Sequence, residues 1–203
     1  MKPGFEACGK LALDGVTESY GICSRMADLI LVDQKTNDYR FNMYDHTKPC
    51  PAEFPLCYDW DYLDKFFNSK VTKAAEGFGP TKKWQDCDNE VYAKLSKKDN
   101  ITDVSEKLAF LIESGLKVLI YAGERDFICN WVGTESMINN LDWSGRKNFN
   151  YSQYITEAYG EKKCFSNSKN NLAFVKFKEA GHLVPMDQPE LSLEMIESFV
   201  EGD

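Results

Sequence analysis

Two short turns carry the residue types best suited to chemistry. Asp126 follows the apolar run Val118–Tyr121 across a charged turn, and His182 follows the apolar run Leu172–Phe177 across a turn that contains glycine. An imidazole can take a proton from a weakly acidic hydroxyl and later deliver it to a leaving group. A buried carboxylate helps by fixing the imidazole tautomer and stabilising the imidazolium. The two residues together therefore predict a base and its orienting acid, in support of a nucleophile.

Each of these residues also has a structural interpretation, because an Asp after a strand is commonly a turn former or helix cap. A Gly-His pair is likewise commonly structural or solvated. Their joint placement favours catalysis, since catalytic groups of doubly wound sheets lie just beyond the carboxyl ends of the strands. Asp126 precedes His182 by 56 positions. Asp before His is the order of an α/β-hydrolase triad, in which the serine comes earlier still.

The elements that must position the two turns form an alternating pattern from about residue 101. The two apolar runs are expected to be strands, the first of them buried on both faces as in a parallel sheet. Helices are expected at Val104–Ser114, Trp131–Leu141 and Pro189–Val200. The first helix has Asp103 as its expected N-cap, Gly115 at its end and an apolar face of Val104, Leu108, Leu111 and Ile112. This order predicts an α/β crossover fold.

The earlier part of the chain is less regular. Residues 1–60 are rich in Cys, Gly, Pro and Asp, which predicts loops. Three short helices are expected in or just after this region, at Ser24–Leu31, Asp59–Phe67 and Val71–Ala75. We therefore divide the chain into a loop-rich part, residues 1–100, and a regular α/β part, residues 101–203.

Composition bounds the class of protein. The 203 residues are 43% hydrophobic and 13% aromatic, which suffices for one sizeable core. A net charge of -8 argues against nucleic acid as a partner, since that affinity depends on Lys and Arg. No apolar run approaches the roughly 20 residues that span a bilayer, so no membrane partner is expected. Two histidines and no Cys-x-x-Cys argue against zinc, and we expect neither a metal nor a cofactor.

Two segments resemble a known family closely. Val118-Leu-Ile-Tyr-Ala-Gly-Glu-Arg-Asp-Phe-Ile-Cys-Asn-Trp131 resembles the segment of serine carboxypeptidases that holds the triad aspartate. Glu179-Ala-Gly-His-Leu-Val-Pro-Met-Asp-Gln-Pro189 resembles the segment that holds their triad histidine. Weaker similarity is found upstream, at Asn42-Met-Tyr-Asp45, Asn68–Ala75 and Trp84–Cys87. The resemblance implies an α/β-hydrolase, here its C-terminal strands and helices, with part of the cap or insertion region in residues 1–100.

The resemblance also implies an activity and a set of site residues. This activity is the release of C-terminal residues from peptides through an acyl-enzyme. Asp126 would orient His182, and His182 would act first as general base and then as general acid. Cys129 and Asn130 match family positions that line the substrate pocket, and Leu183 stands where relatives often have Met. Cys129 would be an unpaired thiol; the alternative is a small buried residue in the first turn of a helix.

The nucleophilic serine is not evident. The sequence has no Gly-x-Ser-x-Gly, the elbow that presents such a serine. Ser19 lies in the nearest similar stretch, but it has no suitable strand before it and no helix after it. Ser144 follows Asp126 and so has the wrong order in the chain. In the family, the serine and the oxyanion-hole donors lie in the N-terminal half, so the expected partner is an N-terminal chain or segment. We expect this chain alone to be inactive.

The cysteines and two sequons indicate the secretory pathway, with a vacuolar, lysosomal or secreted destination. Seven cysteines are many for a reducing compartment. The sequons begin at Asn100 and Asn150. Met1 is not followed by an apolar leader, and we therefore expect the natural chain to start further upstream.

The resemblance assigns some of the cysteines. Cys50 and Cys57 match a small disulfide loop of the family. Cys87 matches a cysteine whose partner lies in the N-terminal half. Cys8 and Cys23 are a candidate pair in the cap region, and Cys164 has no assigned role. The odd number of cysteines leaves at least one thiol free or paired outside the chain.

Two other functions remain open. The same fold can perform acyl transfer or hydroxynitrile cleavage, because the fold does not determine the chemistry. The chain could also be a truncated fragment without catalysis.

The remaining polar residues near the two turns receive no catalytic role. His46 is expected in a surface loop and Glu124 in solvent. Asp187 and Gln188 are expected to start a helix.

Overall fold

The computed structural model describes residues 25, 27–33, 40–51, 57–70, 72, 83–95, 102–167 and 171–201. The chain divides into two compact units. One comprises Met1–Asp38 with Cys50–Thr102, and the other comprises Tyr39–Pro49 with Asp103–Asp203. Residues 39–49 thus belong with the C-terminal unit, whereas the sequence analysis grouped them with residues 1–100. No helix among the described residues has the length and apolar character needed to cross a membrane.

The first unit contains short helices and a disulfide. Its labelled helices are α1 (Asp61–Phe67) and α2 (Asn89–Leu95), and residues 27–31 are also helical. Helix α1 starts two residues later than expected, after Trp60 as N-cap. The expected helix at Val71–Ala75 falls almost entirely outside the described residues. Cys50 and Cys57 form a disulfide across a separation of 7 positions, which confirms the expected pairing.

The second unit is a four-stranded mixed sheet flanked by helices. Its strands are β1 (Lys117–Gly123), β2 (Ile155–Glu157), β3 (Gly160–Ser166) and β4 (Asn171–Phe177). Their order is β1-β4-β3-β2, and β1 pairs with β4 in parallel while the other two pairs are antiparallel. The helices are α3 (Ser105–Glu113), α4 (Trp131–Asn140), α5 (Arg146–Tyr151), α6 (Val184–Asp187) and α7 (Pro189–Glu201). The sequence predicted β1 and β4 but missed β2 and β3.

Both faces of the sheet are packed. One face lies against α3, α4 and α5 through a cluster that comprises Ala109, Ile112, Ile138, Leu141, Trp143, Phe149, Leu172 and Phe174. The other face lies against α6 and α7 through Tyr159, Val175, Phe177, Ala180, Val184 and Met195. Residues 118–120 of β1 are only partly buried. Full burial of this strand was therefore wrong, since β1 pairs only with β4 among the described residues.

Helix α3 differs in detail from its prediction. It starts at Ser105, with Val104 as an N-cap that makes no side-chain cap bond. Asp103 is therefore not the N-cap, although its Oδ1 accepts a hydrogen bond from the Ser105 N–H (2.8 Å). The buried face comprises Ala109 and Ile112, whereas Leu111 and Val104 of the expected apolar face are exposed. Gly115 follows the helix end with φ 80°, a conformation that glycine adopts without strain.

Candidate active site

The aspartate turn starts where β1 ends, and its backbone is tied to the end of β4. The Glu124 N–H donates to the Phe177 carbonyl (2.9 Å). The Arg125 N–H donates to the Ala180 carbonyl (3.0 Å). Because β1 and β4 are parallel neighbours, these bonds join the two turns that follow them. Asp126 is thereby held at the carboxyl end of the sheet and is only 5% exposed.

The histidine turn presents its imidazole to Asp126. Nδ1 of His182 lies 2.9 Å from Oδ2 of Asp126. The histidine side chain is 34% exposed, whereas the aspartate side chain is 4% exposed. The other carboxylate oxygen, Oδ1, accepts a hydrogen bond from the Cys129 N–H (3.2 Å). The structure thus brings together the two residues that the sequence analysis paired.

This geometry suits a base that is oriented by an acid. With Nδ1–H donated to the carboxylate, the lone pair of the neutral imidazole lies on Nε2. Among the described residues, no group forms a hydrogen bond with Nε2, and the ring is partly open to solvent. A buried carboxylate that accepts two hydrogen bonds is well placed to stabilise an imidazolium. The pair can therefore take a proton from an external hydroxyl at Nε2 and hold the resulting charge.

Two glycines permit the close approach of the turns. A Cβ on Gly123 would lie 2.2 Å from the Gly181 carbonyl oxygen. A Cβ on Gly181 would lie 2.4 Å from the Tyr44 carbonyl oxygen. Since the obstructing atoms are backbone, they cannot move as a flexible side chain can. A glycine at each position is what allows Asp126 and His182 to meet.

A third segment, residues 41–48, contacts both turns through its backbone. The Met43 carbonyl accepts hydrogen bonds from the Phe127 and Ile128 N–H groups, both at 3.1 Å. The Tyr44 carbonyl accepts a hydrogen bond from the His182 N–H (2.8 Å). The Tyr44 and His182 rings lie 5.4 Å apart. The sequence analysis assigned this segment no role beyond family resemblance, and its interleaved polar turn residues give no periodic signal.

A sequence profile of the serine carboxypeptidase family matches residues 8–202. The chain belongs to this family. Serine carboxypeptidase 3 from Oryza sativa subsp. japonica is 36% identical over 201 residues, which are 98% of this chain and 38% of that protein. A serine carboxypeptidase-like protein from Pisum sativum is 35% identical over 176 residues, which are 86% of this chain and 60% of that protein. The chain thus spans less than two thirds of the length of these curated relatives.

A solved carboxypeptidase shares the fold. Kex1(delta)p, a prohormone-processing carboxypeptidase from Saccharomyces cerevisiae, superposes with a TM-score of 0.70 at 24% sequence identity. The superposition covers 99% of this chain and 46% of that one. At this identity the likeness concerns the fold, and it agrees with the mixed α/β architecture of the second unit.

Cys129 of this family member carries an exposed free thiol. The alternative of a small buried residue inside a helix is therefore wrong, and α4 starts two residues later. Partial burial of the sulfur, followed by the negative charge of Asp126, raises the pKa of the thiol. The residue is then held as a neutral thiol near the imidazole, which disfavours a role as nucleophile.

Asn130 has a structural function that the sequence analysis did not assign. It is the N-cap of α4, and its Oδ1 accepts a hydrogen bond from the Gly133 N–H (2.8 Å). Its Nδ2 donates to the Phe127 carbonyl (3.1 Å). Leu183 directly follows the histidine, is partly buried and precedes α6 as its N-cap residue. Contact of these side chains with a substrate stays a prediction.

The structure also gives the positions of several of the other residues that the sequence suggested. Glu124 is not simply solvated, because its Oε1 accepts a hydrogen bond from the Glu179 N–H (2.9 Å). His46 is exposed, as expected for a surface loop. Ser144 lies exposed between α4 and α5. Asn150 is exposed on α5, and its Nδ2 donates to the Asn139 carbonyl (3.1 Å). Ser19, Asn100, Cys8 and Cys23 lie outside the described residues.

Three potential metal donors cluster at the site. Ligand atoms of Asp126, Cys129 and His182 all lie within 4.8 Å of one another. The His182–Asp126 hydrogen bond already accounts for one of these approaches. A cation bound by Nδ1 would displace that hydrogen bond and its proton. The donor set therefore fits the catalytic pair better than a resident metal.

Proposed function

We propose that this chain supplies the aspartate and histidine of a Ser-His-Asp triad in a serine-type carboxypeptidase with an α/β-hydrolase fold. The observation that carries the proposal is the 2.9 Å contact between Nδ1 of His182 and Oδ2 of the buried Asp126. His182 acts as general base on the serine hydroxyl and then as general acid on the leaving amine. The products are a released C-terminal residue and an acyl-enzyme, which water hydrolyses.

The serine comes from outside this chain. The sequence contains no nucleophile elbow, and the chain corresponds to 38% of the length of a curated rice relative. An N-terminal segment or a separate N-terminal chain supplies the serine and the oxyanion-hole donors, and the chain alone is inactive. Cys129, Asn130 and Leu183 line the pocket for the peptide substrate, since they flank the catalytic pair in sequence. Residues 1–100 belong to the cap or insertion region.

Maturation takes place in the secretory pathway, with a vacuolar, lysosomal or secreted destination. The Cys50–Cys57 disulfide supports an oxidising compartment. The exposed sequon residue Asn150 lies where a glycan can be attached without entering the core. Asn100 begins the second candidate sequon.

The decisive experiment compares variants of the complete protein in a peptide-hydrolysis assay. Asp126→Asn is expected to lower kcat by about 10⁴-fold, because the amide favours the wrong imidazole tautomer. His182→Ala is expected to abolish measurable turnover. Asp142→Asn makes the same chemical change at an exposed position and leaves kcat unchanged.

Full activity of the His182→Ala variant would contradict the proposal. Parallel assays with acyl donors and with hydroxynitriles distinguish peptide hydrolysis from the two related reactions. A complete protein that reacts with none of these substrates, and with no fluorophosphonate, is a non-catalytic member of the family.

A further inference from the structure

Lys48 joins two carboxylates beside the catalytic histidine. Its ammonium donates a hydrogen bond to Oδ1 of Asp187 (2.8 Å). It also lies 3.0 Å from Oδ2 of Asp45, with which it forms an ion pair. The side chain of Asp45 is 1% exposed and that of Asp187 is 11% exposed, while Lys48 is half exposed. The Lys48 ammonium is thus the counter-ion of two carboxylates that are largely removed from solvent.

The two carboxylates belong to different parts of the site. Asp187 follows the histidine turn, and its Oδ2 accepts a hydrogen bond from the Gly181 N–H (2.8 Å). Asp45 belongs to the 41–48 segment, and its Oδ1 accepts hydrogen bonds from the N–H and the hydroxyl of Thr47 (3.0 and 2.6 Å). Lys48 therefore connects the 41–48 segment to the turn that carries His182.

The contacts flank the catalytic histidine closely. Asp187 holds the N–H of Gly181, the residue before His182. Tyr44, one residue before Asp45, holds the N–H of His182 itself. The backbone that carries the imidazole is thus held by hydrogen bonds from two consecutive N–H groups, those of Gly181 and His182. The first of these bonds depends on the placement of the Asp187 carboxylate, which Lys48 holds.

Electrostatics favour the charged form of the network. Burial alone would raise the pKa of Asp45, but the hydrogen bond from the Thr47 hydroxyl and the nearby Lys48 ammonium outweigh burial and lower it. The hydrogen bond to Asp187 raises the pKa of Lys48. Removal of the ammonium would leave Asp45 as a buried charge without a counter-ion, which is costly. The segment and the turn would then separate or rearrange.

We propose that Lys48 is a positioning residue for His182, acting through Asp187 and Asp45. This inference rests on the proposed function, in which His182 is the catalytic base. Lys48 touches neither the Nδ1–Oδ2 contact nor the open Nε2 of the imidazole. Its loss lets the histidine turn shift, and displacements of about 1 Å can reduce turnover by about 10²-fold.

The test uses the complete protein with the variants Lys48→Met, Asp187→Asn, their double variant and Lys48→Arg. Each of the first two is expected to lower kcat by about 10- to 100-fold, with KM changed by less than about twofold. The double variant is expected to be no worse than the more impaired single variant, because both remove the same link. Lys48→Arg keeps the cation and recovers most of the lost kcat.

A matched control and a second readout make the result specific. Lys94→Met removes the exposed ion pair with Glu90 and leaves kcat unchanged. Hydrogen exchange of the peptide covering residues 179–188 is measured on the same proteins. Lys48→Met and Asp187→Asn are expected to accelerate exchange in this peptide, whereas Lys94→Met leaves its exchange unchanged.

The outcomes separate this inference from the proposed function. If the wild-type protein has no peptidase activity, the proposed function is contradicted. The hydrogen-exchange measurement still tests whether Lys48 holds the histidine turn. The inference is overturned if Lys48→Met keeps both the wild-type kcat and the wild-type exchange. It is also overturned if only KM rises, because Lys48 would then act on substrate binding.

Discussion

At the scale of single residues, Asp126 shows how a buried carboxylate can be stabilised and orient an imidazole through the same contact. Removing a carboxylate from water is costly unless its oxygens find donors. Here Oδ1 receives the Cys129 N–H and Oδ2 receives Nδ1 of His182. The second donor is itself the imidazole that the carboxylate must orient. Stabilisation of the charge and orientation of the base are therefore the same interaction.

A second titratable cluster lies away from the site. Lys163 is 7% exposed, and its ammonium lies 3.7 Å from Oε1 of Glu135. The same ammonium lies over the rings of Phe149 and Tyr154, at 5.1 and 5.7 Å from their centroids. Tyr154 is 36% exposed; its partial burial, and then the hydrogen bond to Glu135, raise its pKa well above the usual range. The folded chain thus keeps the Tyr154 proton at a pH where the unfolded chain loses it.

This difference predicts a pH dependence of stability. The contribution of Tyr154 is complete below its ordinary pKa of about 10 and declines as the pH rises above that value. In urea denaturation of the complete protein, the wild type is therefore expected to lose more stability between about pH 9 and pH 11 than Tyr154→Phe. Tyr151→Phe alters an exposed tyrosine and should follow the wild type. Parallel pH profiles for wild type and Tyr154→Phe would contradict the assignment.

The residue types predicted that Asp126 and His182 would pair, but they did not predict the contacts that hold the two turns in place. Asp and His after two apolar runs are visible in the sequence because strand ends and turns have local signatures. Lys48 and Asp187 lie 139 positions apart, and no local pattern indicates that two such distant charges will pair. The sequence analysis accordingly assigned Asp187 only to a helix start.

At the scale of elements, α4 shows one residue with two candidate roles. Asn130 caps the N-terminus of the helix, because its Oδ1 accepts a hydrogen bond from the Gly133 N–H. The family resemblance also makes it a candidate residue of the substrate pocket. A cap role depends on a side-chain acceptor, which serine also provides. A role in substrate binding depends on the amide group itself.

Two substitutions separate these roles. Asn130→Ala is expected to lower the free energy of unfolding of the complete protein by about 1 kcal/mol. Asn130→Ser is expected to restore most of that loss, as measured by chemical denaturation. If Asn130→Ser is as stable as the wild type but has a raised KM for peptides, the side chain binds substrate as well. A destabilised Asn130→Ser would instead contradict the cap assignment.

The apolar strands β1 and β4 of the second unit were predicted, whereas the more polar strands β2 and β3 were missed. Strand β4 is buried along most of its length, so its apolar run is unmistakable. Strand β3 contains Glu161, Lys162 and Lys163 in succession, and it gave no strand signal. The buried Lys163 is stabilised by aromatic rings and Glu135, which are tertiary contacts that periodicity does not reveal.

At the scale of the whole molecule, the proposed triad is only partly present in this chain. The described residues of the second unit complete the Asp126–His182 pair, yet the sequence has no serine in an elbow. Relatives that are matched along 98% of this chain extend well beyond it. The proposed function therefore assigns the serine to a segment outside this chain.

This division predicts where an active-site label will attach. A fluorophosphonate is expected to label the complete protein on a serine that lies outside residues 1–203. The measurement is peptide mapping by mass spectrometry after labelling. His182→Ala is expected to suppress the labelling, because the serine then lacks its base. A label on Ser19 or Ser144 would contradict the assignment of the nucleophile to another segment.

The long separation between Lys48 and Asp187 also has a consequence for biosynthesis. Chains are made from the N-terminus at about 5–20 residues per second, so the interval of 139 positions takes about 7–28 s to translate. During that time Tyr44 and Asp45 have not yet met the turn that carries His182. The contacts between the 41–48 segment and the histidine turn can thus form only after this interval, when residues 181–187 have been synthesised.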